Sequence, residues 1–514
     1  MNKFSERAKA IVTSRDFTSG LLTALLIAVI VFVNIIASLL TDTFGLYFGP
    51  TRTVDLSITG KTDSLFAEAI EKGETVRVTF CMAESELEVY DTGMYVLETA
   101  RRFAERYPFI ELNFVNLYTK MDKDGNIVDL SKYLVDMRGN ELPLRRHSII
   151  FSTGEGEAEN YRVVTDTATS YGFSDFYVMS SGGTPISYVG EEVFASMVAW
   201  VLHKEHKVAY ITEGHGETID VTFGNLLSSA GYYIDVIDLK RSEADTKLAR
   251  DDVGLVIISN PTTDFEIGVK GGGAEVRAEL DRLATYLASG GQLYIALDAY
   301  GDRLPELENF LLERGIAISG GEGDYGYSRD IIVDSASAIA LDSLSFITGY
   351  ADGPLASAIG KKADGNVLLS EVSSLILQSN EKSTVEPLLY TADTAVAMRE
   401  GKTVSAGRYT VAAVSTTTEE GGAESRIFVA PTALLTNGDL LVSGYANKGF
   451  LYALLEEAFG SNVGIYGTKS IDFTYGVVEN LTQRDSIIYT IILVALPVAV
   501  AAVGAVIIIR RKNR

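Results

Sequence analysis

Two long uncharged apolar runs, one near each end of the chain, constrain everything between them. Residues 21–40 read LLTALLIAVIVFVNIIASLL and residues 487–509 read IIYTIILVALPVAVAAVGAVIII. At about 1.5 Å of rise per residue, either run is long enough as a helix to cross a hydrocarbon core of roughly 30 Å. Lys3, Arg7, Lys9 and Arg15 precede the first run, and Arg510, Arg511, Lys512 and Arg514 follow the second. Positive residues are retained on the cytoplasmic side, so both tails are expected inside the cell and the middle outside. The first run exceeds the roughly 7–15 residues of a signal-peptide core, and no small-x-small cleavage site follows it. It is therefore read as an uncleaved signal anchor. The expected order is a cytoplasmic tail (1–20), a transmembrane helix (21–40), an extracytoplasmic region, a second transmembrane helix (487–509) and a cytoplasmic tail (510–514).

Charge narrows the partners. The chain carries a net charge of −24. Because its two tails are positive, the exported middle is more acidic still, at about −30. Such a surface repels nucleic acid, which excludes DNA and RNA as expected partners. Cys81 is the only cysteine. An exported region without an intramolecular disulfide must be stabilised by its core, and the length between the anchors suffices for two or three domains.

Periodicity gives the layout. Helical spacing over 61–72, a strand over 76–82, a helix over 95–107 and a strand over 110–117 predict a small α/β layer of thioredoxin-like topology. Residues 51–59 alternate as a strand leading in. Two strands are expected within 147–180, and a helix over 191–204 closes this first domain, spanning 50–205. A second unit, 206–460, starts with the strand 207–212. It continues with a helix at 223–230, strands at 232–239 and 253–260, a helix at 275–288 and a strand at 292–298. That alternation predicts a doubly wound parallel sheet, flavodoxin-like in class. Residues 320–385 are rich in Gly, Ser and Asp and read as a partly irregular insertion, extending to about 400. Strands at 409–416 and 425–431 and a helix at 447–459 resume the unit. No internal repeat is evident.

Several chemical motifs fail on context. Residues 321–326 match G-x-G-x-x-G, but they lead into a strand-like stretch where a dinucleotide site needs a helix N-terminus. No Walker A string occurs, so no cofactor is expected and the chain is not itself an ATPase. Cys81 ends a strand but has no second thiol to resolve a mixed disulfide. His203 and His206 lack the third ligand and the H-E-x-x-H order of a zinc site, so no metal is expected. An amidotransferase-like reading of the second unit requires a cysteine nucleophile with a histidine partner. The corresponding turn, 256–265, contains none, and no G-x-S-x-G string replaces it. No catalytic residue is assigned.

The most specific string is Thr212-Glu213-Gly214-His215-Gly216-Glu217, directly after the strand 207–212. The loop after the first strand of an open α/β sheet lies at the carboxyl edge, where ligands and partners dock. Glu213, Gly214, His215, Gly216 and Glu217, with Asn260 on the neighbouring loop, are the candidate partner- or ligand-binding residues. With its flanking strand this string resembles the Gly-His-Gly-Glu loop of the GldG-like auxiliary proteins of gliding-motility-type ABC transporters. The resemblance continues through 254–265, 283–298, 385–398, 425–431 and the terminal span with its RRKNR tail. It implies a thioredoxin-like domain, an amidotransferase-like domain without a catalytic centre, and association with an ABC permease and a cytoplasmic ABC ATPase. The acidic Gly-rich stretch 318–330 and the absence of fused permease helices depart from the family.

The leading expectation is therefore a non-catalytic membrane-anchored accessory subunit of an ABC-type transport system, whose exported domain binds a partner protein, polysaccharide or substrate. Asn34 within the first span would be satisfied by an interhelical hydrogen bond, and Ala495 and Ala499 with Pro497 offer a small-residue packing face in the second. Two other classes stay open: a tethered carbohydrate-active hydrolase and a stand-alone structural or adhesion ectodomain. On the leading reading, His215→Ala leaves folding and export intact and impairs the complex.

Overall fold

The computed structural model describes residues 56–473, apart from 166–171, 180–183, 204, 267–277, 340–342, 419–422, 442–443, 462–467 and 469. Both apolar spans lie outside the described residues, as do Asn34, Ala495, Pro497 and Ala499. No helix among the described residues is long and apolar enough to cross a membrane. The described residues form one compact unit of mixed α/β structure.

Of the strand expected over 51–59, residues 51–55 lie outside the described residues, and 56–59 pair with no strand among the described residues. Helix α1 (Gly60–Lys72) follows, turning Phe66 and Ala69 inward one helical turn apart. It stops at Gly73, whose left-handed backbone (φ 64°) lets its N–H reach Ala69 O at 3.1 Å. Strand β1 (Val76–Phe80), helix α2 (Asp91–Arg106) and strand β2 (Ile110–Asn116) form a parallel strand–helix–strand unit. Strand β3 (Ile149–Thr153) then pairs antiparallel with β1, and β4 (Asn160–Val164) with β3. The sheet order is thus β2-β1-β3-β4, with the two-residue strand Met121–Asp122 outside β2. A short strand, β5 (Pro185–Tyr188), leads into α3 (Gly190–Leu202). This helix packs Phe194, Val198 and Trp200 into the same core as Phe66, Phe80 and Phe103.

Between β2 and β3 the chain lays a cover over the other face of this sheet, with Leu130 against Cys81, Val115 and Ile150. The cover holds a repeat that the sequence reading missed. Asp122 accepts from the backbone of Asp124 (2.9 Å) and Asn126 (2.8 Å), and from Asn126 Nδ2 (2.9 Å). Asp136 makes the same set with Arg138 and Asn140, each at 2.8 Å. Both turns read D-x-x-G-N, too short a match to stand out where nothing else around it repeats.

The larger sheet begins with β6 (Val208–Glu213), helix α4 (Val221–Ser229) and β7 (Tyr233–Asp238). It continues with α5 (Glu243–Leu248), β8 (Val253–Ser259), α6 (Glu279–Ala288), β9 (Gln292–Ala296) and α7 (Pro305–Leu312). Two late strands, β10 (Thr410–Thr418) and β11 (Glu424–Ala430), complete it before α8 (Asn447–Glu457). The parallel order is β7-β6-β8-β9-β11, and β10 runs antiparallel to β11. Strand β8, central in this order, is buried on both faces from Gly254 to Ser259, as a run of Leu, Val and Ile requires in a parallel sheet covered on two sides. Helices α4 and α8 cover one face; α5, α6 and α7 cover the other.

The segment read as a partly irregular insertion holds more regular structure than its composition suggested, between stretches such as 334–337 and 371–374 that belong to no helix or strand. Gly320–Gly323 and Gly326–Arg329 form a hairpin, and Ile331–Val333 pairs with Val396–Arg399, which pairs with Lys402–Ala406. A helix, Pro354–Ala363, buries Ala356 and Ile359 against the main core. Strands Leu375–Leu377 and Ser383–Tyr390 join β10, so part of this segment belongs to the main sheet. The G-x-G-x-x-G match falls in the hairpin, with Asp324 and Tyr325 at its tip rather than a helix start.

Candidate functional site

Strands β6 and β8 are neighbours although β7 lies between them in sequence, so the chain reverses its winding there. The crevice outside the carboxyl ends of such a pair is where open α/β sheets place ligands. Two loops meet at this point, 214–218 after β6 and 260–265 after β8.

His215 is the centre of the junction, and it faces inward. Its residue is 1% exposed. Nδ1 lies 3.3 Å from Glu217 Oε1 and Nε2 lies 3.1 Å from Glu279 at the first turn of α6. The ring stacks on Phe265 with centroids 4.0 Å apart. The His215 backbone is held as tightly. Its N–H donates to Glu217 Oε2 at 2.6 Å, and its carbonyl accepts from the N–H groups of Thr262 (2.8 Å) and Thr263 (3.1 Å). Glu279 also accepts from Glu266 N–H at 2.8 Å.

The charges are mutually tuned. Burial on its own would lower the His215 pKa. Hydrogen bonds to Glu217 and Glu279, with their charges, outweigh it and raise the value to about 9. Burial would likewise raise Glu217, but the bond from His215 and the surrounding backbone and Thr212 donors bring it down to about 2. The group is therefore a buried imidazolium between carboxylates.

The backbone explains the glycines. Gly214 (φ 112°) and Gly216 (φ 78°) both occupy the region that side chains disfavour. A Cβ on Gly216 would sit 2.2 Å from Thr262 Oγ1. Asn260 also has positive φ (54°), in the left-handed region that Asn tolerates better than most residues. Its Nδ2 donates to Thr218 Oγ1 at 3.1 Å, which laces the two loops a second time. Asp264 closes the far side, accepting from Glu306 (2.8 Å) and Leu307 (3.2 Å) at the start of α7.

All six candidates thus come together at one edge, but they divide by role. Glu213, Gly214 and Gly216 are exposed, whereas the side chains of His215 and Glu217 are buried. A histidine presented to a ligand was the expectation; the ring instead ties β6, β8 and α6 together. Glu279 was missed because it stands 64 residues along the chain, and only the turn chemistry of Glu217 was visible locally.

Two other titratable candidates, Cys81 and His206, are packed within the fold. Cys81 is buried, which pushes its thiol up to about 12. His206 stacks on Trp200 at 3.7 Å and bonds Gly231 O at 3.1 Å, and burial lowers its pKa to about 4. Among the described residues no group of three or more His, Cys, Asp or Glu side chains is placed to hold a metal ion.

No protein-family model matches the chain, and no curated protein matches it. Among solved structures, the mmIFT52 N-terminal domain is similar over 49% of this chain and 96% of its own, with 14% identity and a TM-score of 0.36. The cytoplasmic protein STM3548 from Salmonella typhimurium covers 49% of this chain and 98% of its own, at 10% identity and a TM-score of 0.30. PurLQS from Thermotoga maritima covers the same shares at 12% identity and a TM-score of 0.24. Likenesses this distant carry no argument about function.

Proposed function

We propose that this chain is a non-catalytic, membrane-anchored accessory subunit of an ABC-type transport system, with the region between its two spans held outside the cytoplasm. The observation that carries the reading is the sealed edge at 213–218 and 260–265. Doubly wound enzymes keep a nucleophile or cofactor there; here the position after β8 is Asn260, and the loops are joined by an internal ion cluster. Sheet order supports the finer fold assignment. A β2-β1-β3-β4 sheet built from a strand–helix–strand unit and a hairpin is thioredoxin-like in topology. A parallel order in which the second strand flanks the first, followed by the third, fourth and fifth, is flavodoxin-like.

On this reading the buried His215 pre-shapes a rigid surface, and the exposed Glu213, Gly214 and Gly216 backbone meets a partner protein or polysaccharide. Asn34, Ala495, Pro497 and Ala499 would pack against permease helices. The test is recovery of the tagged full chain from native membranes in mild detergent. An ABC permease and an ABC ATPase should co-purify at fixed ratios, and Glu213→Arg should weaken recovery of an extracytoplasmic partner without lowering stability. Purification of the chain free of both subunits, from cells that express them, would sink the proposal.

A further inference from the structure

The segment that comes from the first apolar span and the segment that leads to the second are fastened to the same few residues. Glu191, in the first turn of α3, accepts from Thr59 N–H (2.6 Å), Thr59 Oγ1 (2.8 Å) and Thr62 Oγ1 (2.7 Å). Immediately before it, β5 pairs antiparallel with Ile471 and Asp472, and Phe473 N–H donates to Ile186 O at 2.7 Å. Leu56 and Ile58 on one side, and Ile471 and Phe473 on the other, pack against a single core. The described chain therefore starts and finishes at one place, residues 186–191.

That place can be located on the first sheet. Tyr188 Oη donates to Tyr95 O at 3.0 Å, Tyr177 Oη donates to Thr92 O at 2.6 Å, and Phe473 lies 5.7 Å from the Tyr95 ring. Thr92 and Tyr95 belong to the first turns of α2, which follows the carboxyl end of β1. The two connections thus leave from the carboxyl edge of the β1/β2 pair. The same edge carries Val89 (83% exposed) between β1 and α2, Met94 (49%) on α2, and Tyr118 (79%) just beyond β2. Leu117 N–H bonds Cys81 O at 3.3 Å, which sets the ends of β1 and β2 side by side.

The charge of this edge differs from that of the chain as a whole. Its three glutamates are largely offset by two arginines: Glu84 and Glu88 share Arg101 at 2.8 and 2.6 Å, and Glu86 meets Arg146 at 2.8 Å. On a chain with net charge −24, a paired edge bearing exposed Val, Met and Tyr is where contact with a phospholipid surface costs least. Tyrosine in particular favours the membrane–water interface. The connecting stretches 41–55 and 474–486 could each span at most roughly 50 Å if fully extended. Fastening both at one edge turns that edge toward the bilayer in any arrangement that keeps the two connections short.

We propose that the carboxyl edge of the first sheet, at Val89, Met94 and Tyr118, rests on the outer surface of the lipid bilayer. This rests on the two-anchor reading above. Interface residues settle about 5–10 Å into the headgroup boundary, so a probe placed there is reached by shallow lipid quenchers.

Val89→Cys, Met94→Cys and Tyr118→Cys, each in the full chain reconstituted in phosphatidylcholine vesicles, would be labelled with an environment-sensitive fluorophore. Val404→Cys, 47% exposed on the strand Lys402–Ala406, serves as the control. Headgroup-region nitroxide lipids should quench the three edge labels at least about twofold more than the control. Equal quenching at all four positions, with the chain still in the membrane after alkaline carbonate, would overturn the proposal and leave the anchors standing. Release of the chain by carbonate would overturn the anchor reading, and the proposal with it. Shielding of the edge labels from aqueous quencher without any lipid quenching would assign the edge to a protein and also overturn it.

Discussion

At His215 the side chain and backbone are both committed, so substitutions there act first on stability. Removing the ring leaves Glu217 and Glu279 buried without the cation between them. Breaking a buried charge cluster in this way costs roughly 3–5 kcal/mol. His215→Ala should therefore lower the denaturant midpoint of the chain markedly, contrary to the sequence-based expectation that folding is unaffected. An unchanged midpoint would show that the cluster contributes nothing. The titration has a definite sign. His215 has a pKa of about 9 in the fold against an ordinary 6.5, so its contribution is complete below about 6.5 and is lost as pH rises through about 9. Glu217, at about 2 against 4.5, contributes above about 4.5 and loses that contribution as pH falls through about 2. In wild-type protein, denaturation midpoints should fall on the alkaline side; in His215→Gln that alkaline limb should flatten. Gly216→Ala tests the backbone. With φ at 78° and Thr262 Oγ1 2.2 Å from the new methyl, it should destabilise by about 1–3 kcal/mol, and Thr262→Ser should not relieve it because the hydroxyl remains.

At the scale of elements, Glu191 is a cap supplied from another part of the chain. Thr59, the residue before α1, forms no side-chain cap to its own helix; the carboxylate of Glu191 on α3 takes its N–H instead. Glu191→Ala should cost about 1–2 kcal/mol, in the range of a lost N-cap. Amide exchange in residues 60–66 should accelerate while α3 itself stays protected. Uniform acceleration across both helices would mean that Glu191 stabilises the core rather than the cap. Such elements also mark how far the sequence could be read. Helices α1, α2, α4, α6 and α8 and strands β1, β2 and β6 to β11 show their period in consecutive residues, and the reading placed them within a few positions. Glu191 and its acceptor role depend on a partner 132 residues away, which no local pattern encodes. Most strands within 320–400 escaped the reading for a related reason. Apart from Ser383–Tyr390 they are two to four residues long, and Ile331–Val333 finds its partner at Val396–Met398. Periodicity has nothing to act on in so few residues.

Across the whole molecule, the two sheets are joined through a seam that contains the chain's only tryptophan. Trp200 on α3 stacks on His206 at 3.7 Å, with Tyr233 of β7 edge-on to it at 5.4 Å and the Arg162 guanidinium 5.0 Å from its ring. Arg162 also donates to Ser228 O on α4 at 3.3 Å. On the next turn of contact, Glu192 of α3 accepts from Tyr452 Oη (3.0 Å) and Lys448 Nζ (2.6 Å) of α8. Aromatic stacking and buried ring area, rather than the ion pairs, should dominate this seam. The layers should then unfold together, so that Trp200 fluorescence and far-UV circular dichroism give coincident denaturation curves. A Trp200 transition that precedes loss of helix signal would mean that the seam opens first. Acid should weaken the seam specifically. His206 is held neutral, at about 4 against 6.5, so its contribution is complete above about 6.5 and is lost as pH falls through about 4. Protonation there also brings a positive charge toward Arg162 across the Trp200 ring. His206→Phe keeps a ring on Trp200 and removes the proton site, so the Trp200-monitored midpoint should lose its dependence on pH between about 6.5 and 4. Retention of the full acid limb in that variant would place the sensitivity elsewhere and show that the seam is not the pH-sensitive joint.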